Sequence, residues 1–434
     1  MAKRRRDDTY APYGNKRLCS ISDRRKKSID VLYDIISVDK DDKRASRELV
    51  DDTLKAIIGH IRNNQLYGYI YDHRIVKAGS HPINAKIGSA DEFDTNILLN
   101  LDKNSWYRCS DSNEGIDYSY VTNENSNMRH CRRFSTGFDV PIPNGCAVVE
   151  VQNIGNTQRF IHTAERKITV LKPVFAGYGS FTVPHYDTVK TEINRNSDGK
   201  IEILPRDIKQ DFHAKIRTAI SDLRMHKVKL DENSHGPALT LTLSPDRKRG
   251  VDHNISVDLT VSLKCSLQLQ EFNWPRSATL RAFDEELIER AIGAGIHLVP
   301  KKDLFWSISF SRTERALLSG IDADSGCRKK ILKILKCYLE HCKSESPSDL
   351  QGISSHILKT QVLWSCETHA DDPDYWNHDN RVVCLSNTMR ELEQSLMEAD
   401  LDDYFNDSIN LLQGKDSRIL YELAHYLNTE RKKL

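Results

Sequence analysis

The chain of 434 residues has no long apolar run. No window approaches about eighteen consecutive apolar residues, so no membrane-crossing helix is expected. The N-terminus lacks the apolar stretch of a secretory signal. Cysteine pairing is missing too: the ten cysteines are scattered as singletons, which suits reduced thiols better than a disulfide framework. Cys337, His341 and Cys342 in KCYLEHCKS fall inside a helical pattern with no second ligand pair after them, and are expected to be core or surface residues. Charge of one sign is also lacking. Lys and Arg number 63 against 62 Asp and Glu, a formal +1, so a basic surface must be local. No internal repeat or low-complexity segment occurs.

What is present begins with a local basic concentration. AKRRRDDTYAPYGNKRLCSISDRRKKS carries three basic clusters and little apolar content before residue 28. Residues 1–42 are expected to form a basic disordered tail, serving either as a nuclear-import or nucleic-acid-binding arm or as a solvated extension. The compartment expected is the cytoplasm, with the nucleus as a further one. The length exceeds one typical domain and predicts two lobes.

From about residue 43, Leu49, Leu54, Ile57, Ile58 and Ile61 recur at helical spacing, while Arg44, Arg47, Lys55 and Arg62 lie mostly off that stripe. RIVKAGS and FDTNILLNL read as strands, 204–225 as a helix, and PALTLTL with HNISVDLTVSL as two strands joined by the basic turn SPDRKRG. Residues 103–200 mix strand-like and polar pieces that the pattern does not order into a sheet. After about 300 the pattern is nearly all helix. A mixed sheet lobe at 43–300, with an insertion near 103–190, is expected before a helical lobe at 301–434.

GSADEFDTNILLNL, residues 88–101, places Glu92 and Asp94 at the head of an apolar strand, and ISVDLTVSL places Asp258 inside another. Carboxylates are costly to bury without a partner. Residues i and i+2 of a strand share a face, so Glu92 and Asp94 can converge and an adjacent strand can add Asp258. Hard oxygen ligands of this kind select magnesium or manganese. Gly79-Ser80 closes the preceding strand, twelve residues from Ser80 to Glu92, and offers close backbone approach and a hydroxyl to a phosphate. Strand, Gly-Ser, E-x-D, then a distant strand acid is the order found in polymerase-β-like nucleotidyltransferases, whose sites use two metals.

On GS with its spacing to EFD, PALTLTL before ISVDLT, WSISFSRTE, CRKKILKILKCYLE and SSHILKT, the sequence closely resembles the animal cyclic GMP-AMP synthase and cyclic GMP-AMP synthase-like receptor family. The resemblance runs from about residue 70 to the end. It implies an α+β fold: a nucleotidyltransferase sheet lobe with a long N-terminal spine helix, and a helical lobe completing the nucleotide site. It makes Glu92, Asp94 and Asp258 the catalytic metal ligands and Ser80 a triphosphate contact. Ser307, Ser309, Ser311 and Glu314 would line the nucleotide pocket, Lys336 would meet the triphosphate, and Ser355, His356 and Lys359 would hold the same nucleotide. The implied reaction joins ATP and GTP into cyclic GMP-AMP, through two attacks on α-phosphates that each release pyrophosphate.

Three departures qualify the resemblance. Ser307 stands where the vertebrate synthase has a guanine-reading arginine, and His356 stands where a stacking tyrosine is expected. Between SRTERALLSG and CRKKILK only IDADS and Gly326 remain, in place of a zinc-binding insertion that grips DNA. The implied activator is therefore double-stranded RNA, as for insect-type innate immune receptors, with no structural zinc. Arg44, Arg47, Lys55 and Arg62 are candidate RNA contacts, extended by Lys329 and Lys333, and a dimer on nucleic acid is a further expectation. Two alternatives differ in class: a non-catalytic scaffold of this fold, and a template-independent RNA nucleotidyltransferase.

Overall fold

A computed structural model describes residues 29–65, 68–99, 205–231, 238–265, 267–301, 305–345, 350 and 352–434, with the backbone of five short strands between 117 and 203. Residues 1–28 and most of the expected insertion near 103–190 lie outside the described residues.

The spine helix forms as its apolar spacing predicts. In α2 (Lys40–Asn64), Val50, Leu54, Ile57, Ile58 and Ile61 are buried in one stripe. Each such burial is worth about 1.5–3 kcal/mol, so the stripe, rather than the charged face, fixes the helix. Asp39 caps the first turn, accepting from the Asp41 and Asp42 amides at 2.9 and 3.0 Å. One expectation is corrected at this end. A short helix, α1 (Ile29–Ile36), lies inside the stretch read as disordered tail, with Ile29 and Ile36 buried. The basic clusters before residue 28 drew attention from the apolar residues of IDVLYDII that follow.

The sheet is mixed, and its order among the described residues is β1 (Tyr71–Ala78), β2 (Glu92–Leu99), β10 (Ile255–Lys264), β11 (His297–Pro300), β12 (Trp306–Ser309), β6 (Cys146–Gln152) and β3 (Asp117–Thr122). A separate pair joins β4 (Cys131–Arg133) to β5 (Asp139–Pro141), and β7 (Glu202–Ile203) adds to β6. β2 and β10 run parallel, while β1 and β2 are antiparallel. The other edge of β10 is shared by β9 (Leu239–Leu243), which itself pairs β8 (Val228–Leu230), and by β11.

Alternation decides which face each side chain takes. In β10, Ile255, Val257, Leu259 and Val261 are buried in the core, and in β2 so are Phe93, Thr95, Ile97 and Leu99. The residues between them, Glu92, Asp94, Ser256 and Asp258, share the opposite face. Helix α3 (Pro205–Asp222) docks on the core side with α2. Tyr71 stacks on Phe212 with ring centroids 4.9 Å apart and donates to Asp211 at 2.6 Å.

Helices α4 (Ser277–Ala282), α5 (Glu285–Ala294) and α6 (Ser311–Gly320) lead into the helical lobe of α7 (Arg328–Glu345), α8 (His356–Thr368), α9 (Arg381–Glu398) and α10 (Ser417–Arg431). Asp322, in the short IDADS connection, accepts from the Arg328 and Lys329 amides at 3.0 and 2.9 Å and so satisfies the N-terminus of α7. α8 touches α4, α7 and α9, and buries Ile357, Leu358, Val362, Leu363 and Cys366.

A polar clamp fastens α4 to α8. Glu367 accepts from Arg276 Nε and Nη2 at 3.0 Å each, Thr279 Oγ1 at 2.5 Å and the Tyr404 hydroxyl at 2.6 Å. The Arg276 guanidinium lies 4.2 Å from the Trp364 ring centroid. Glu367→Ala leaves a half-buried guanidinium without its counter-charge and the buried Thr279 and Tyr404 hydroxyls without their acceptor, and should lower unfolding free energy by about 3 kcal/mol in a denaturant titration. A loss under about 1 kcal/mol, the scale of a surface pair, would mean that apolar packing alone joins these helices.

Candidate active site

The register of β2 and β10 sets Asp258 beside Asp94 and Ser256 beside Glu92. Three carboxylates therefore share one patch of the sheet. Burial, then the charges of Glu92 and Asp258, push the Asp94 carboxyl up to about 6. Thr240 on β9, the register partner of Asp258, donates to its Oδ1 at 2.7 Å. Glu92 is drawn outward by Lys86, whose Nζ lies 2.8 Å from its Oε2 and 3.1 Å from Asp91. Among the described residues no three His, Cys, Asp or Glu side chains gather closely enough to hold a metal ion. The donor set still fits a hard divalent cation: all three groups are carboxylates, and the charges of Glu92 and Asp258, which add to burial in raising Asp94, are ones a cation would neutralise.

Gly79 makes room for this patch. Its φ is +68°, and a Cβ there would fall 1.8 Å from Asp94 Oδ2. Any side chain at position 79 must push the carboxylate aside, which explains the glycine before Ser80.

Ser80 faces α7. Lys336 Nζ donates to Ser80 Oγ and, at 3.0 Å, to the Ala85 carbonyl. Burial, then the neighbouring charges of Lys359 and Lys86, lower its ammonium to about 7. A phosphate would restore the charged form, as a nearby anion favours a cation.

The helical lobe contributes a second charged group. Lys359 donates to Glu314 Oε1. His356 lies 3.1 Å from Glu314 through Nδ1 and 3.1 Å from Asp403 through Nε2. Two carboxylates thus face two cations. Burial opposes the charge on Glu314, but Lys359 and His356 hold its carboxyl down at about 2. Burial likewise opposes charge on His356, whose hydrogen bonds to Asp403 and Glu314 nevertheless raise it to about 9. Ser309 donates to Ser311 at 3.0 Å, and Ser307 takes the same face of β12 as Ser309. Ser355 is the residue before α8, its carbonyl accepting from the Lys359 amide at 3.4 Å. Asp94 feels the charge of Lys359, and Lys336 that of Glu92 and Glu314. Acids and pocket cations share one electrostatic field.

The basic candidates divide. Arg44 and Lys55 are exposed on α2, Arg44 pairing with Asp41 at 3.0 Å, and Arg47 is half-buried. Arg62 turns inward to the Tyr71 carbonyl. Lys329 donates to the Ser319 carbonyl at 2.7 Å, and Lys333 is only 7% exposed. The expectation that Lys333 extends an open basic surface is thereby corrected, because α1 covers it. Cys337 and Cys342 are buried on α7, and burial pushes their thiols up to about 12 and about 11.

Residues 83–320 match the family described as the Mab-21 protein nucleotidyltransferase domain, and residues 327–429 the Mab-21 protein HhH/H2TH-like domain. The first match alone covers more than half of the 434 residues. The chain belongs to the Mab-21 family. Similar proteins include a cyclic GMP-AMP synthase-like receptor of Magallana gigas, 27% identical over 249 residues that cover 52% of this chain and 40% of that protein. Protein mab-21-like 3 of Danio rerio is 28% identical over 177 residues, covering 39% and 44%. Cyclic GMP-AMP synthase of Sus scrofa is 27% identical over 203 residues, covering 40% and 38%. The chain spans less than half the length of these relatives. Membership of the Mab-21 family agrees with the α+β nucleotidyltransferase fold and helical lobe that the sequence implies. No helix among the described residues is long and apolar enough to cross a membrane.

Sequence reasoning missed Asp403, Lys86 and Thr240. Thr240 was findable, as the polar residue facing Asp258 once PALTLTL and ISVDLT pair; Asp403, one acid in EADLDDYFND, carries no such signal.

Two outcomes are expected. Gly79→Ala should cost about 1–2 kcal/mol from the left-handed backbone alone, measured by chemical denaturation, with a further shift of Asp94; unchanged stability would show that the loop adapts. His356 gains charge on folding, so its contribution is complete below its ordinary value of 6.5 and disappears as pH rises through about 9. The wild-type protein should therefore lose more stability than His356→Gln between those pH values. The difference is expected to be modest, because 41% of the side chain is exposed. Parallel pH profiles would mean that His356 is neutral in the folded protein.

Proposed function

We propose that this protein is a divalent-metal-dependent nucleotidyltransferase that joins ATP and GTP into cyclic GMP-AMP on binding double-stranded RNA, and so acts as an innate immune sensor. The observation that carries the reading is the patch of Glu92, Asp94 and Asp258 on adjacent strands, in one electrostatic field with Lys336 and Lys359. Glu92, Asp94 and Asp258 are the residues to hold magnesium or manganese. When bound, the metal supplies charge that activates the attacking hydroxyl and neutralises the departing pyrophosphate.

The chain's own residues do the rest. Lys336 and Ser80 engage the triphosphate by charge-assisted hydrogen bonds. Lys359, held by Glu314, and Ser355 orient the same nucleotide. Ser307, Ser309 and Ser311 offer hydroxyls at the base, and His356 offers a ring face of smaller area than the aromatic side chain in the related synthase. The similarity to a protein named as a cyclic GMP-AMP synthase-like receptor supports the product. The short IDADS connection, without a histidine and cysteine set, supports RNA over DNA, since A-form duplexes are recognised by shape and backbone. Residues 43–300 and 301–434 are the two functional lobes in this reading.

The test is incubation of purified protein with labelled ATP and GTP, magnesium or manganese, and long double-stranded RNA or DNA of equal length, with products identified by mass spectrometry. A cyclic dinucleotide is expected with RNA, and little with DNA. EDTA should stop synthesis. Asp258→Asn should reduce it by roughly 100-fold or more, since several kcal/mol of charge stabilisation are lost, while RNA binding persists. Substantial turnover by a folded Asp258→Asn protein would remove that residue from the site, and equal activation by DNA would sink the RNA reading alone. The non-catalytic alternative draws on one observation, the pairing of Glu92 with Lys86. It is favoured if nucleotides bind and no product forms with either duplex.

A further inference from the structure

Helix α1 lies along α7 and engages the cations of that face. Asp30 accepts from Lys330 and from Arg381 on α9, at 2.7 Å each. The Tyr33 ring takes two ammonium groups, with Lys330 at 4.8 Å and Lys333 at 4.7 Å from its centroid. Lys333 also reaches Ser37 Oγ at 3.3 Å. The far end of α1 is tied to the loop that precedes Glu92: Gly88 donates to the Ile36 carbonyl at 2.9 Å, and Ser37 bridges Ile87. One carboxylate, one aromatic face and one hydroxyl therefore engage three cations, of which Lys330 and Arg381 also meet His378, at its Nε2 and its carbonyl, 2.9 Å each.

We propose that α1 is an intramolecular occupant of a basic surface formed by Lys330, Lys333 and Arg381, and that a nucleic-acid duplex must displace it to reach them. The inference rests on the reading that a duplex activates the protein. An anionic backbone offers these cations what Asp30, Tyr33 and Ser37 supply, with more charge. α1 is suited to leave. It has eight residues, short of the roughly 12–15 that an isolated helix needs in water, so its structure depends on docking. Its polar contacts are of the exposed or half-buried kind that salt screens. Displacement also pulls on the 80–91 loop, because Ile36 and Ser37 hold Gly88 and Ile87.

Hydrogen exchange and duplex binding test the proposal on the whole chain. Amides of residues 29–36 should be protected in the free protein and exchange faster when a duplex binds, while those of α2 stay protected. Tyr33→Ala removes no charge, and should tighten binding of a labelled duplex by about 3–10-fold, measured by anisotropy at fixed salt. Adding Lys333→Ala should abolish that gain. RNA and DNA duplexes of equal length are compared, since both present the same phosphate backbone. If the wild-type protein binds a duplex while residues 29–36 keep their protection and Tyr33→Ala changes nothing, α1 is a fixed part of the surface and the inference is overturned. If neither duplex binds nor stimulates the wild-type protein, the activator reading itself fails and the inference goes with it.

Discussion

The parallel pairing of β2 with β10 is the constraint on which the rest of the structure depends. Two strands distant in sequence meet in a register that sets Asp258 beside Asp94, and alternation sends Phe93, Ile97, Val257, Leu259 and Val261 to the opposite face. The same hydrogen bonds that build the core thus assemble a concentration of negative charge. A shift of one residue would bury the acids and expose the valines and leucines. Apolar burial beneath the sheet therefore enforces the acid geometry above it.

Charge compensation explains how the two lobes come to share this site. The sheet lobe provides the three carboxylates, and the helical lobe provides Lys336 and Lys359, both buried, Lys359 acting on Asp94 and Lys336 feeling Glu92. The Arg276–Glu367 clamp, away from the acids, fixes α8 and with it the origin of Lys359. Packing at the back and electrostatics at the front are consistent demands on one relative placement.

Much of this was legible in the sequence because it depends on periodicity. The stripe Leu54, Ile57, Ile58 and Ile61 predicts the spine helix, and the alternation in ISVDLTVSL predicts both the strand and the face of Asp258. The acids stood out as charged residues in apolar strands. Long-range pairing was less legible: nothing local announces that Lys86 reaches Glu92, that Asp403 meets His356, or that Tyr33 covers Lys333. Those contacts join residues far apart in the chain or in flanking loops, where no period constrains them. Composition misled at residues 29–36, where a basic neighbourhood masked an amphipathic helix. Serines at 307, 309 and 311 have residue types too common to carry a signal outside the resemblance.

Gly79 and Asp94 form a unit in which each position limits the other. A backbone φ of +68° by itself admits asparagine or aspartate, whereas the carboxylate 1.8 Å from the would-be Cβ admits neither. A lineage that loses the acid at 94 is thereby released from one of the two restrictions at 79. Across the Mab-21 family the two columns should drift together. A non-glycine residue before the serine would mark, from sequence alone, a member whose acid patch has been abandoned, and a retained glycine would be the residual imprint of a carboxylate packed against bare backbone.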